Sequence, residues 1–174
     1  MKSYKMITLL AAFASLGFLA NSIQAEDAKS TVNSTDESFV KSASQMGIGE
    51  VQVASLGVRK GARADVKELA EKMVTAHTAL NAEISALAKS KNVAISTVTD
   101  PSDTETLKDL ENTDTGDNFD KAFLAELESA HKDAIALFED AAKDSADADV
   151  KNLASKALPE LRSHLDMIQA AQKK

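Results

Sequence analysis

Cysteine and tryptophan are both absent from the 174 residues. Without cysteine there can be no disulfide, thiolate metal site, iron–sulfur cluster or thiol nucleophile. Positive charge is scarce as well. Twenty Lys and Arg face 27 Asp and Glu, and the largest basic cluster is Arg59, Lys60 and Arg63. So little surface could neutralise a row of phosphates that nucleic acid is a poor partner. No phosphate-binding loop is present, and no serine stands in a spacing that marks it as a nucleophile beside a histidine and an acid. Aromatic residues are 4% of the chain. What remains is 44% hydrophobic and 27% charged, the mix of an ordinary soluble domain.

Lys2 and Lys5 precede an apolar run from Met6 to Ala20, followed by Ile23-Gln24-Ala25 and the acidic Glu26-Asp27. That pattern predicts a secretory signal peptide over residues 1–25. The run is shorter than the roughly 20 residues of a membrane span, so no stable insertion is expected after cleavage. With no cysteine to carry a lipid, the exported chain should be free, and the periplasm of a Gram-negative bacterium is its expected location. Tyr4, Phe13 and Phe18 leave with the signal, so Phe39, Phe119, Phe123 and Phe138 are the only aromatic residues left for a core of alanine, leucine and valine. Small side chains of good helix propensity predict an all-α domain.

Residues 26–35 are polar and read as a flexible leader, which places the folded domain at residues 36–174. Apolar residues at three- and four-residue spacing predict long helices over about 36–59, 65–91, 119–143 and 149–171. Ser34 or Thr35 is the expected cap of the first, and Gly61 its breaker. Between residues 92 and 118 the pattern weakens. Pro101 opens a short helix to about residue 110, and Thr113-Asp114-Thr115-Gly116-Asp117 forms a turn. This connector far exceeds the two to eight residues usual between antiparallel neighbours, so it should cross along the bundle. Ala64-Asp65-Val66-Lys67 also recurs as Ala148-Asp149-Val150-Lys151. Two similar hairpins, a long crossover and a short extra helix describe a ferritin-like four-helix bundle. Pro159 inside the last helix costs about 3 kcal/mol. It either re-aims His164 or marks a tolerated bend.

Beyond the leader there are three histidines, His77, His131 and His164, each on a different helix and each on that helix's apolar stripe. Glu50 does the same on the fourth helix. With about three positions in seven facing inward, three random histidines would all do so only about 8% of the time. All four residues lie within about four positions of a helix midpoint, or roughly 6 Å along the axis, so they can meet in one layer of the core. Burying them unpartnered is expensive. A single divalent transition metal (zinc, iron, manganese or copper) would satisfy three imidazoles and a carboxylate. A metal-free cluster of hydrogen bonds, completed by water, would satisfy them too. Glu128, three residues before His131, and Glu160, four before His164, are candidate additional ligands. Met46, Met73 and Met167 each sit one turn from a member of the set, which would suit copper(I), although methionine at helical spacing is commonly core filler. His77 has no glutamate three residues earlier, so a dinuclear carboxylate site is not expected. Gly47 and Gly49 suggest a close helix contact or the approach of a ligand to the backbone.

Phe39-Val40-Lys41, Gly49-Glu50-Val51, Val66-Lys67, Met73-Val74 with His77, Ala130-His131, Leu158-Pro159, Leu161-Arg162 and His164-Leu165 together resemble the bacterial domain-of-unknown-function family 4142. The resemblance runs from about Ser38 to Ala171. It implies an exported ferritin-like bundle of a kind sometimes labelled an outer-membrane protein, with no established activity. Glu50, His77, His131, Pro159 and His164 occupy motif positions. Ala76 and Ala130 stand where the family often has an acid just before a histidine. The expectation is therefore an exported bundle protein holding one transition-metal ion for metal buffering or stress protection. Two alternatives stay open: a metal-free envelope protein whose Glu/His cluster fixes helix register, and a small metallo-oxidase. No protein partner is indicated.

Overall fold

The structure is a computed structural model that describes residues 30–98 and 100–174. The expected signal peptide and the leader up to residue 29 lie outside the described residues. Within them, all regular structure is helical: α1 (Ser34–Lys60), α2 (Ala64–Ser90), α3 (Pro101–Asn112), α4 (Asp117–Asp144) and α5 (Ala148–Gln172). The all-α architecture expected from the sequence is present. No helix among the described residues is long and apolar enough to cross a membrane.

Local chemistry sets the helix ends. Helix α1 begins two residues earlier than expected because Asn33, not Ser34 or Thr35, is the cap, its side chain accepting from the N–H groups of Thr35 and Asp36. Ser34 and Thr35 therefore belong to the helix, not to the leader. Thr31 is tied down as well, its N–H donating to the Lys91 carbonyl at 2.9 Å. At the other end Gly61 stops α1, as expected, with φ at −49°. A Cβ there would lie 2.7 Å from the Gly57 carbonyl oxygen, and that contact explains the glycine.

Two buried carboxylates lock the two ends of the bundle and define its topology. Asp120, near the start of α4, accepts from the backbone N–H groups of Ala62 and Arg63 in the α1–α2 turn, at 2.9 and 3.0 Å. Asp36, in the first turn of α1, accepts from Ser145 Oγ and the Asp147 N–H in the α4–α5 turn, at 2.7 and 2.9 Å. Lys91, just past α2, reaches Asp147 at the same end. Helix α4 thus starts beside the α1–α2 turn, at the end opposite to where α2 finishes. Residues 91–116 must run the length of the bundle, and they carry α3 against α1 and α4. Lys60 Nζ fastens the far end of α3 by donating to the carbonyls of Leu110, Glu111 and Thr113. A cation at a helix C-terminus also complements the dipole.

Helix α1 packs on α2 and α4, and α5 packs on those same two helices. Their shared interior is two apolar clusters, not one. The first gathers Phe39, Val40, Ile84, Phe138, Val150 and Leu158. The second gathers Leu56, Val66, Met73, Phe119, Phe123 and Ile168. Close approach in the second depends on Gly57, where a Cβ would fall 2.2 Å from Cζ of the Phe123 ring. Between the clusters lies a layer of polar side chains.

Helix α5 continues through Pro159 without a break. Pro159 and Ser155, whose carbonyl loses its helical partner, are both exposed, so the freed carbonyl is open to water.

Candidate metal centre

The middle turn of each long helix supplies one member of the polar layer. Glu50, His77, His131 and His164 come from α1, α2, α4 and α5, with relative exposures of 7%, 1%, 0% and 5%. The apolar stripe that turns each helix inward carries its polar member to the centre. The three imidazoles form a near-equilateral triangle, with ring centroids 5.2 Å (His77–His131), 5.2 Å (His77–His164) and 5.5 Å (His131–His164) apart. One ring nitrogen of each lies within 4.8 Å of the others.

Hydrogen bonding fixes the tautomer of His131. His131 Nδ1 lies 2.8 Å from the Leu127 carbonyl. A carbonyl only accepts, so Nδ1 carries the proton and Nε2 presents a lone pair. His77 Nδ1 lies 2.9 Å from Glu50 Oε2. It is off the line of a well-directed hydrogen bond, so this contact favours a proton on Nδ1 by charge alone and does not fix the tautomer. The two Nε2 atoms face each other at 3.3 Å. With the proton on His77 Nε2 that contact is a neutral hydrogen bond accepted by His131; with the proton on His77 Nδ1 it brings two lone pairs together, the arrangement in which a cation between them is favoured. Two imidazoles on one zinc-like ion, each about 2.1 Å from it, would hold their nitrogens about 3.3 to 3.4 Å apart.

The remaining donors are under-satisfied. Glu50 Oε1 stands 3.6 Å from His131 Nδ1 and has no hydrogen-bond partner, nor has His164 Nδ1. Burial pushes the Glu50 carboxyl up, but its contact with His77 and the nearby imidazole charges outweigh that, and it titrates below the ordinary glutamate range. Burial holds the His131 imidazole below its ordinary value. His164 is depressed to about 4, by burial first and then by repulsion from His77 and His131. Neutral imidazoles are the ligand form of histidine, so these depressions weaken the competition of protons for His131 and His164.

Two further candidates do not join the set. Glu128 turns outward to Lys132, Gln169 and Gln172, which hold its carboxyl low, at about 2. A surface carboxylate satisfied by three partners gains nothing by entering the core. Glu160 is exposed on the rim of a broad groove between α2 and α5, with His164 in its lining. Met46 and Met167 are half-buried, lining the surface recesses on either side of the layer, whereas Met73 is fully buried in an apolar cluster as core filler. The glycines mark close contacts, as expected. Gly47 admits the side chain of Asn81 from α2, and Gly49 that of Asp103 from α3. The sequence reading missed Asn81, whose Oδ1 is buried without a partner. It sits one turn after His77, and its only signal was the facing glycine.

Fold and layer together define a class: helical bundles with one acid and three imidazoles buried between two apolar half-cores. A family model, Domain of unknown function (DUF4142), matches residues 21–171. The chain belongs to that family. Two solved structures share the fold. A DUF305 fragment from Deinococcus radiodurans superposes with a TM-score of 0.72 at 13% identity, over 82% of this chain and 97% of the other. CopM in the Cu(I)-bound form superposes with a TM-score of 0.65 at 14% identity, over 79% of this chain and 95% of the other. No curated protein matches the chain in sequence.

Proposed function

We propose that the protein is an exported metal-binding bundle that holds one transition-metal ion through His77, His131 and His164, with Glu50 as carboxylate ligand or immediate partner, for metal buffering or stress protection. The carrying observation is the pair of Nε2 atoms facing each other at 3.3 Å. The Leu127 carbonyl leaves the His131 Nε2 lone pair free, the Glu50 carboxylate stands 2.9 Å from His77 Nδ1, and a third buried imidazole stands beside them. A metal bound there would supply the positive charge that this donor set lacks and would tie three helices together. Export rests on the charge and apolar pattern of residues 1–25. The likeness to a protein captured with Cu(I) puts copper(I) on the list of ions to try.

The test is metal analysis of untagged protein together with thermal melts in zinc, iron(II), manganese, copper(II) and copper(I). Near-stoichiometric metal is expected, with a raised Tm, and both should be lost in His77→Ala and His164→Ala. If no ion changes either metal content or Tm, the reading fails.

A second reading has an observation of its own. A proton on His77 Nε2, donated to His131 Nε2 with the Glu50 carboxylate alongside, makes the same contact a hydrogen bond and leaves a metal-free register device. It predicts that Glu50→Gln lowers stability while chelators and added metals change nothing.

A further inference from the structure

On the face opposite the α2–α5 groove, α1, α3 and α4 enclose a recess of about 150 Å³. Its lining includes Asp103, Glu126 and Asp133 and contains no lysine or arginine. None of these three carboxylates has an ion-pair or hydrogen-bond partner among the described residues. Acidic clusters are common on surfaces, but this one has a floor. Glu50, 7% exposed, lines the recess, and its Oε1 has no hydrogen-bond partner. The same carboxylate faces His77 through Oε2. Glu50 is thus the wall between the recess and the imidazoles.

Gly49 helps to build this arrangement. A Cβ at residue 49 would stand 2.5 Å from Asp103 Oδ2, so the glycine lets the Asp103 carboxylate pack against the α1 backbone next to Glu50. The gathering is electrostatically unfavourable by itself. Burial raises the Asp103 carboxyl, and Asp100 and Glu50 push it the same way. Glu126 is raised by burial, then by Asp103 and Asp133. A volume of this size accommodates a hydrated ion, and hard carboxylate oxygens bind a cation that keeps its water.

We propose that the recess of Asp103, Glu126 and Asp133 collects a hydrated divalent cation and loads it into the buried centre, with Glu50 passing the ion from carboxylate oxygens to imidazole nitrogens. The proposal rests on the metal-centre reading above, and the test separates the two. Stopped-flow uptake of Co²⁺ by the full chain, followed by visible ligand-field bands, reports arrival at the imidazoles. Asp103→Asn/Glu126→Gln/Asp133→Asn together should reach the same final spectrum at least about ten-fold more slowly and with a weaker dependence on ionic strength. Equal rates and equal salt dependence would leave the centre standing and overturn the port. Wild-type protein that never develops the bands would overturn the centre and the loading role with it.

A second measurement does not depend on the imidazoles. In His77→Ala/His164→Ala protein, Mn²⁺ should selectively broaden the amide resonances of Gly49, Asp103 and Glu126, and the three acid substitutions should abolish this. No selective broadening overturns the collecting role. If the triple variant fails to fold, Asp133→Asn alone, at an exposed position, should slow Co²⁺ uptake in the same direction, and an unchanged rate counts against the port.

Discussion

Acidifying the metal-free protein should cost stability well above the pH at which its carboxylates protonate, and His164 is the reason. Its imidazole titrates at about 4 in the folded chain, against an ordinary value of about 6.5. Between those two values the unfolded chain binds a proton that the folded chain refuses. Folding stability is therefore full above about pH 6.5, falls as pH drops through that value, and the loss is complete below about pH 4. A shift of this size corresponds to about 3 kcal/mol in total, of which roughly 2 to 2.5 kcal/mol is lost between pH 7 and pH 4.5. His131, also held low by burial, acts in the same direction. Glu50 is depressed and contributes stability that disappears only as pH falls through and below the ordinary glutamate range, near 4.5; the raised Asp103 and Glu126 carboxyls act in the opposite direction, and comparison with a His164 variant cancels them. Urea unfolding followed by circular dichroism in EDTA, at half-unit pH steps, gives the slope directly. His164→Gln should flatten it by about the amount stated. Parallel slopes for the two proteins would refute the claim that this ring is buried and neutral.

Three structural predictions accompany it. Gly57→Ala would normally gain about 1 kcal/mol in a helix, but the collision with the Phe123 ring should turn this into a net loss of about 1 to 2 kcal/mol. Adding Phe123→Leu should recover part of it, a non-additivity readable from thermal melts. Asp120→Ala leaves two backbone N–H groups of the α1–α2 turn without their acceptor and should cost about 2 to 4 kcal/mol in urea unfolding. A loss below about 0.5 kcal/mol would mean that water replaces the carboxylate there. Asn33→Ala removes the cap of α1 and should cost about 1 kcal/mol, seen as a modest drop in Tm.

Helix periodicity carried most of the fold, because each long helix buries one stripe and its register follows from where the apolar residues fall. The layer was legible for the same reason: His77, His131 and His164 replace apolar residues within those stripes, and helix midpoints are preserved whichever way a helix runs. What failed was local or non-periodic. Asn33 was passed over as a cap because Ser34 and Thr35 are equally good candidates by type, and only backbone geometry separates them. Glu128 looked like a ligand from its spacing to His131, but spacing does not reveal that Lys132, Gln169 and Gln172 wait for it on the surface. The recess was invisible because α3 supplies Asp103 from a connector with no register of its own. Gly49, a residue that costs helix stability, was the one sequence sign that something approaches there.

The polar layer itself argues about its purpose. Four leucines at these positions would join the two apolar clusters and avoid the desolvation of an acid and three imidazoles. A device that only fixes helix register gains most when its network is closed, since every buried polar atom left without a partner carries a cost of its own. Here the network is open, with Glu50 Oε1 and His164 Nδ1 unpartnered. His131 is oriented by the Leu127 carbonyl, and its free Nε2 faces the Nε2 of His77, whose other nitrogen stands beside Glu50. Carbonyls and carboxylates behind imidazoles are the supports that set ligand tautomer and direction in metal sites. On the metal reading, the ion would engage atoms that the protein leaves open, on His164 and Glu50. Those last two residues line the groove and the recess on opposite sides of the layer, so the ligands least held by the protein are the ones nearest to a path for the ion.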